Sequence, residues 1–171
     1  MIALIQSGNL HPTVRQIADR AGVSRRLVYY HFSDLDALFL TAASLYATRY
    51  RSLITPLPSR GPRELRIRAI CHQRRQLFEA MAPVHRVAFA RTHGVVGLER
   101  FLVDHRSLLR KQLAATLAPE IHSRGNEGAE LLDALDLATG WEYWFALRDH
   151  GHHSPSSAER AIVFAVTSLL R

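Results

Sequence analysis

The stretch TVRQIADRAGVSRRLVYYHF, Thr13 to Phe32, places two short capped segments of helical period on either side of a single glycine. Val14, Ile17, Ala18 and Ala21 recur at i, i+3, i+4 and i+7, the spacing of one helix face. Thr13 stands where an N-cap belongs, and Gly22 ends the segment as a C-cap glycine does. Ser24 then caps RRLVYYH, in which Val28 and Phe32 share a face while Arg25, Arg26, Tyr29 and Tyr30 lie away from it. Small Ala18 permits a close crossing, and Val23, Val28 and Ile17 are expected to form the core that holds it. Two short helices crossing at a Gly-Val-Ser turn make a helix-turn-helix.

Helical periodicity continues along the chain, with no convincing alternating strand. Ser33 with Asp36 predicts a capped helix carrying Leu38, Ala42, Leu45 and Tyr46 to about Leu53, and TPLPSRGP, Thr55 to Pro62, breaks it. Five more helices are expected, at about Arg63 to Met81, Pro83 to Thr92, Gly97 to Leu117, Ala129 to Asp149 and Pro155 to Leu170. Pro83 suits a first helical turn, and Ser156 with Glu159 offers another capping box. The fold class is therefore all-α: a three-helix helix-turn-helix domain over 1–53, followed by a helical domain over 54–171.

Charge decides less than the motif does. The net charge is +7, from 22 Lys and Arg against 15 Asp and Glu. Residues 1–53 hold six Arg and three acids, 60–111 twelve cations and four acids, and 112–171 four Arg and eight acids. The densest positive block thus lies outside the helix-turn-helix, so net charge permits a polyanionic partner without locating it. The Arg-rich middle, Arg63, Arg66, Arg68, Arg74 and Arg75, reads first as a solvated face and second as an anion site.

No apolar run reaches the length of a membrane span, and Met1 to Ser7 lacks the positive segment of a secretory signal. The single cysteine, Cys71, excludes an internal disulfide and fits a reducing compartment, so cytoplasmic placement is expected. Cys71 fits an apolar face beside Ile67 and Ile70 better than it fits a thiol nucleophile, and no catalytic constellation is visible. HGHH, His150 to His153, invites a metal reading, but no further cluster at ligand spacing completes a set, and a surface loop is favoured. No cofactor is expected.

In a major groove the second helix would enter by its N-terminal residues. Arg25 and Arg26 can each pair with guanine O6 and N7, Tyr29 can meet a thymine methyl or a phosphate, and Leu27 can add an apolar contact. The helices near the C-terminus carry more apolar surface than one face needs. Leu131, Leu135, Ala138, Trp141 and Phe145 with Ile162, Ala165 and Leu169 predict a two-fold homodimer through a four-helix interface.

The residues Thr13 to Phe39, T-x-x-x-I-A-x-x-A-G-V-S followed by L-V-Y-Y-H-F and a new capped helix, resemble the TetR/AcrR family of transcriptional regulators. A weaker likeness runs through LFEAMAPVHRVAFARTH and GWEYWFALRDHGHHSPSSAERA, which look like that family's ligand-domain helices and final dimerising pair. The resemblance implies an N-terminal DNA-binding domain, a C-terminal ligand-binding and dimerisation domain, and a homodimer on a palindromic double-stranded operator, most often a repressor released by a small-molecule effector. By position it implies that Thr13, Tyr30 and His31 grip phosphates beside the Ser24 cap, while Arg25, Arg26, Leu27 and Tyr29 face bases. Three departures accompany it: only MIALIQS precedes Gly8 where the family's first helix is longer, Leu35 stands where lysine is common, and Arg26 where a small residue is common. The stretch before Gly8 is expected to be the remnant of a longer first helix. The rival readings are a metal-dependent enzyme built on HGHH and a degenerate regulator acting through protein contacts.

Overall fold

The computed structural model describes residues 1–91 and 97–171, the side chains of 89–91 excepted. Ten α-helices occur among them, with no strand: α1 Ile2–Gln6, α2 Val14–Ala21, α3 Arg25–His31, α4 Leu35–Tyr50, α5 Arg63–Arg91, α6 Leu98–Thr116, α7 Ala118–Ser123, α8 Gly128–Ala138, α9 Trp141–Phe145 and α10 Pro155–Leu169. Thr92, the expected end of one helix, lies outside the described residues. The chain forms two compact units, one of Met1–Ser52 with Ala80–Val103, the other of Leu53–Glu79 with Asp104–Arg171. The unit that holds Met1–Ser52 also takes in the end of α5 and the start of α6.

The first unit has two apolar cores that share α4. Leu38 packs with Ile17, Ala18 and Val28, while Phe39, Ala43 and Tyr46 pack with Ile5, Val84, Val87, Ala88 and Leu98. Three short helices bury too little surface to be stable alone, and the second core supplies what the first lacks. The expected stripe on α4 is corrected accordingly: Leu38 and Tyr46 are buried, but Leu45 is 69 % exposed, and Phe39 and Ala43 take its place. Tyr46 donates to the Ala80 carbonyl at 2.9 Å and accepts from Gln6 at 3.1 Å. Burial foremost, with Tyr50 beside it, pushes the Tyr46 hydroxyl up to about 12. That bond to Gln6 also ties down the five-residue α1, which is far too short to hold its helix unaided.

Two expected helix starts are corrected by the observed caps. At α4 the carboxylate of Asp34, not Ser33, accepts from the Ala37 amide at 2.7 Å, and the Ser33 hydroxyl donates to Asp34. At α10 the cap is Ser154, which accepts from the Ser157 amide at 3.2 Å, so Ser156 and Glu159 form no box there. Pro83 does not begin a helix either. It lies inside the 29-residue α5, which absorbs the lost backbone bond because Ala82, Val84, Val87 and Ala88 around it are all buried.

In the second unit the expected helix over 129–149 is broken at Thr139-Gly140. The Thr139 hydroxyl donates back to the Leu135 carbonyl at 2.9 Å, and a Cβ on Gly140 would lie 3.0 Å from the Asp136 carbonyl. α9 follows and widens into a π-helical turn, Ala146–His150, closed by the Gly151 amide on the Ala146 carbonyl at 2.9 Å. Trp141 and Trp144 both pack against Phe78, with ring centroids 5.7 and 6.2 Å apart. Leu135, Trp141 and Ile162, expected at a dimer interface, are at most 7 % exposed within the chain itself. Leu131, Ala138, Phe145, Ala165 and Leu169 are half-buried, whereas Leu137 and Phe164 are 56 % and 70 % exposed.

Of the α5 arginines expected on a solvated face, Arg68 is exposed and Arg63 and Arg75 are half-buried, but Arg66 and Arg74 are buried. Arg66 is buried, bonded to the Thr116 carbonyl at 2.8 Å and paired through both terminal nitrogens with Glu120. The Arg66 hydrogen bonds hold the Glu120 carboxyl below its ordinary value, so the pair contributes stability above a pH of ~4.3, the unfolded Glu value, and loses it as pH falls through the lower folded value. Removing one partner of a buried pair strands the other. Glu120→Ala is expected to destabilise the chain by about 3 kcal/mol at neutral pH in urea unfolding. Glu120→Gln should flatten the acid limb of the melting temperature against pH, and an unchanged acid limb would contradict the assigned role.

Candidate nucleic-acid interface

The site is built by caps on each side of one turn. Thr13, at the N-cap of α2, accepts from the Gln16 amide at 3.3 Å, while the Gln16 side chain accepts from the Thr13 amide at 2.9 Å and from its hydroxyl at 3.1 Å. Asn9 adds a donor to the same Gln16 oxygen at 3.3 Å. This reciprocal box satisfies two of the amides a helix start leaves open. Gln16 was not singled out from the sequence, although Thr-x-x-Gln ahead of an apolar repeat is its signal.

α2 ends in a Schellman arrangement. The Val23 amide reaches the Ala18 carbonyl at 3.0 Å and the Gly22 amide that of Asp19 at 3.3 Å, with Gly22 at φ 68°. A left-handed residue at this point is what swings the chain into the next helix. Ser24 caps α3, its hydroxyl accepting from the Leu27 amide at 3.1 Å. Ile17, Ala18, Val28 and Leu38 then close beneath the crossing. Val23 is not among them: it is 37 % exposed at the turn, and Leu38 of α4 holds the place expected for it.

Within α3 only Val28 is buried. Arg25, Arg26, Leu27, Tyr29, Tyr30 and His31 are all exposed, with Tyr29 at 58 % and Tyr30 at 81 %. The rings of Tyr30 and His31 meet edge to face at 5.2 Å. Among the described residues neither Arg25 nor Arg26 has a carboxylate partner, so the leading end of α3 presents two uncompensated guanidinium groups. The structure brings Ser24, Arg25, Arg26, Leu27, Tyr29, Tyr30 and His31 together on one short element; Thr13 lies one helix earlier, at the start of α2, and its hydroxyl hydrogen is engaged by Gln16.

Cys71 is fully buried, and burial pushes its thiol up to about 12, far from a reactive thiolate. Among the described residues no three His, Cys, Asp or Glu come together as a ligand set. His150, His152 and His153 are exposed, with His153 bonded to the Ser157 hydroxyl at 3.1 Å. Among the described residues no helix is long and apolar enough to cross a membrane.

A short exposed helix, capped at its leading end and pinned by one buried face against a crossing helix, defines a helix-turn-helix DNA-binding domain. Residues 2–42 match the family model described as bacterial regulatory proteins, tetR family, and that match supports a DNA-binding transcriptional regulator. No curated protein and no solved structure matches the chain.

The turn is the fragile part of the site. Gly22→Val puts a β-branched residue at a left-handed φ and is expected to destabilise the first unit by about 1 to 2 kcal/mol. Thr13→Ala, which removes the cap, is expected to cost about 1 kcal/mol. Urea unfolding followed by far-ultraviolet circular dichroism checks both, and an unchanged midpoint for either would contradict the assigned geometry.

Proposed function

We propose that this protein is a ligand-responsive repressor that binds a palindromic operator as a homodimer in the cytoplasm and is released by a small-molecule effector. The observation that carries this reading is the outer face of α3, where every residue but Val28 is exposed and, among the described residues, the two leading guanidinium groups have no carboxylate. Arg25 and Arg26 pair with guanine edges, Tyr29 and Leu27 meet thymine methyls, and Tyr30 and His31 bond phosphates. Ser24 caps α3 as an acceptor, which leaves its hydroxyl hydrogen to a phosphate. Thr13 reaches a phosphate only by giving up its hydroxyl bond to Gln16.

The dimer reading is supported by the exposed apolar residues Leu137 and Phe164, joined by half-buried Leu131, Ala138, Phe145, Ala165 and Leu169. Two copies reading one palindrome need their α3 helices about one DNA turn apart, ~34 to 36 Å. An effector held among α5, α6 and α8 opposes the operator by linkage: each weakens the other's binding by the same factor.

Fluorescence anisotropy with the upstream intergenic duplex, against random competitor, tests the reading. Arg25→Ala and Arg26→Ala are each expected to reduce operator preference by about 1 to 3 kcal/mol. Tyr30→Phe should weaken operator and random DNA alike and leave the melting temperature within experimental scatter, because the ring is 81 % exposed. Equal affinity of the unaltered chain for operator and competitor at low salt would contradict the reading, and a purely monomeric sedimentation profile at micromolar concentration would remove the dimer.

A further inference from the structure

Among the described residues, the second unit contains one buried cation whose hydrogen-bond partners are all neutral. Arg74 of α5 is 1 % exposed, and its guanidinium donates to the side-chain oxygens of Gln73 at 3.1 Å and Gln112 at 3.0 Å and to the Leu109 carbonyl at 2.9 Å. The inward-facing carboxylates of this unit are bonded to other cations. Glu79 takes Arg148, Glu120 takes Arg66, Glu159 takes Arg75, and Asp136 takes Arg106 at 3.0 Å and Arg110 at 3.5 Å. Asp136 attracts Arg74 at longer range only, and the Cys71 thiol is neutral. A charge enclosed among neutral groups is unfavourable, and burial lowers the Arg74 pKa to about 10.

The same bonds form a clamp. The side-chain nitrogens of Gln73 and Gln112 both donate to the Thr55 carbonyl, at 2.8 and 2.7 Å. Each amide thus has its oxygen on Arg74 and its nitrogen on Thr55, so the guanidinium sets the direction in which both hold the chain at the opening of the 55–62 segment. One helical turn to either side of Arg74, Ile70, Cys71, Leu77 and Phe78 are buried and apolar. A ligand that reaches this charge therefore needs an anionic head and an apolar body.

We propose that Arg74 is the anion-receiving group of this unit: a small apolar carboxylate replaces the Gln73 and Gln112 oxygens on its guanidinium and loosens both amides from Thr55. As Arg74 is enclosed, binding the carboxylate and freeing the amides are one event. The regulatory meaning rests on the effector reading above, naming the effector as a monocarboxylate. Carboxylate binding itself is measured without DNA, so its failure and the failure of the operator reading are separate results.

The test is thermal unfolding of the whole chain with hexanoate and benzoate beside their uncharged amides, together with hydrogen exchange of the peptide containing Thr55. At least one carboxylate is expected to raise the melting temperature saturably, by about 3 to 6 °C at roughly ten times its Kd, with the amides inert. The Thr55 peptide should exchange faster once that carboxylate is bound. Arg74→Met, which replaces the charge by an apolar chain of similar length, should fold with an equal or higher melting temperature and lose the response. If Arg74→Met does not fold, Gln112→Leu keeps the guanidinium, removes one competing neutral acceptor and should bind the carboxylate more tightly. Equal shifts by acid and amide, no shift by either carboxylate at millimolar concentration, a response that survives in Arg74→Met, or a Gln112→Leu response no tighter than that of the unaltered chain would each overturn the proposal.

Discussion

Burial of Val28 against Ile17, Ala18 and Leu38 is the contact on which the first unit's function depends. A seven-residue helix has no independent stability in water, so α3 exists because one face is held down. Burying a side chain of this size contributes ~1.5 to 3 kcal/mol, against about 1 kcal/mol for the Ser24 cap of α3. The holding group is small, and the rest of the helix surface is left to solvent. Arginines and tyrosines can then stand in fixed directions without being needed for packing. The exposed groups and the anchoring group lie on opposite sides of the same two turns.

α4 makes that division possible. Its Leu38 closes the small cluster, and one residue later Phe39 enters the larger one with Ala43 and Tyr46. A helix that buries two sides cannot show a clean amphipathic stripe, which is why the periodicity of Leu38, Ala42, Leu45 and Tyr46 misassigned Leu45. The second unit is organised by charge as well as by packing. Arg66 with Glu120, Arg148 with Glu79, and Arg106 and Arg110 with Asp136 tie α5, α6 and the elements that follow them, and against that matched set the neutral surroundings of Arg74 stand apart.

What the sequence made legible was local. The caps at Thr13 and Ser24 and the left-handed turn at Gly22 follow from groups within five residues of one another, and all three are present in the structure. The outward direction of Arg25, Arg26, Tyr29 and Tyr30 follows from Val28 alone through the helical repeat. What failed needed distant partners. Arg66 looked solvated because Glu120, 54 residues away, is invisible to any local pattern. Pro83 looked like a helix start because propensity speaks for the isolated segment, whereas buried neighbours on both sides carry α5 through it. Leu135, Trp141 and Ile162 were recognisably apolar, but a pattern of apolar residues does not say whether the chain's own core or a second copy covers them.

The central claim is that α3 offers its outer face to DNA while Val28 anchors its inner one. Its most direct test is a nuclear magnetic resonance titration of the whole chain with a short random duplex at low salt, where electrostatic binding needs no operator. The account predicts that the largest shifts fall on Ser24 to His31, with the Val28 methyls nearly still. Shifts that avoid this helix, or a duplex that leaves Tyr29 and Tyr30 unmoved while it binds elsewhere, would contradict it.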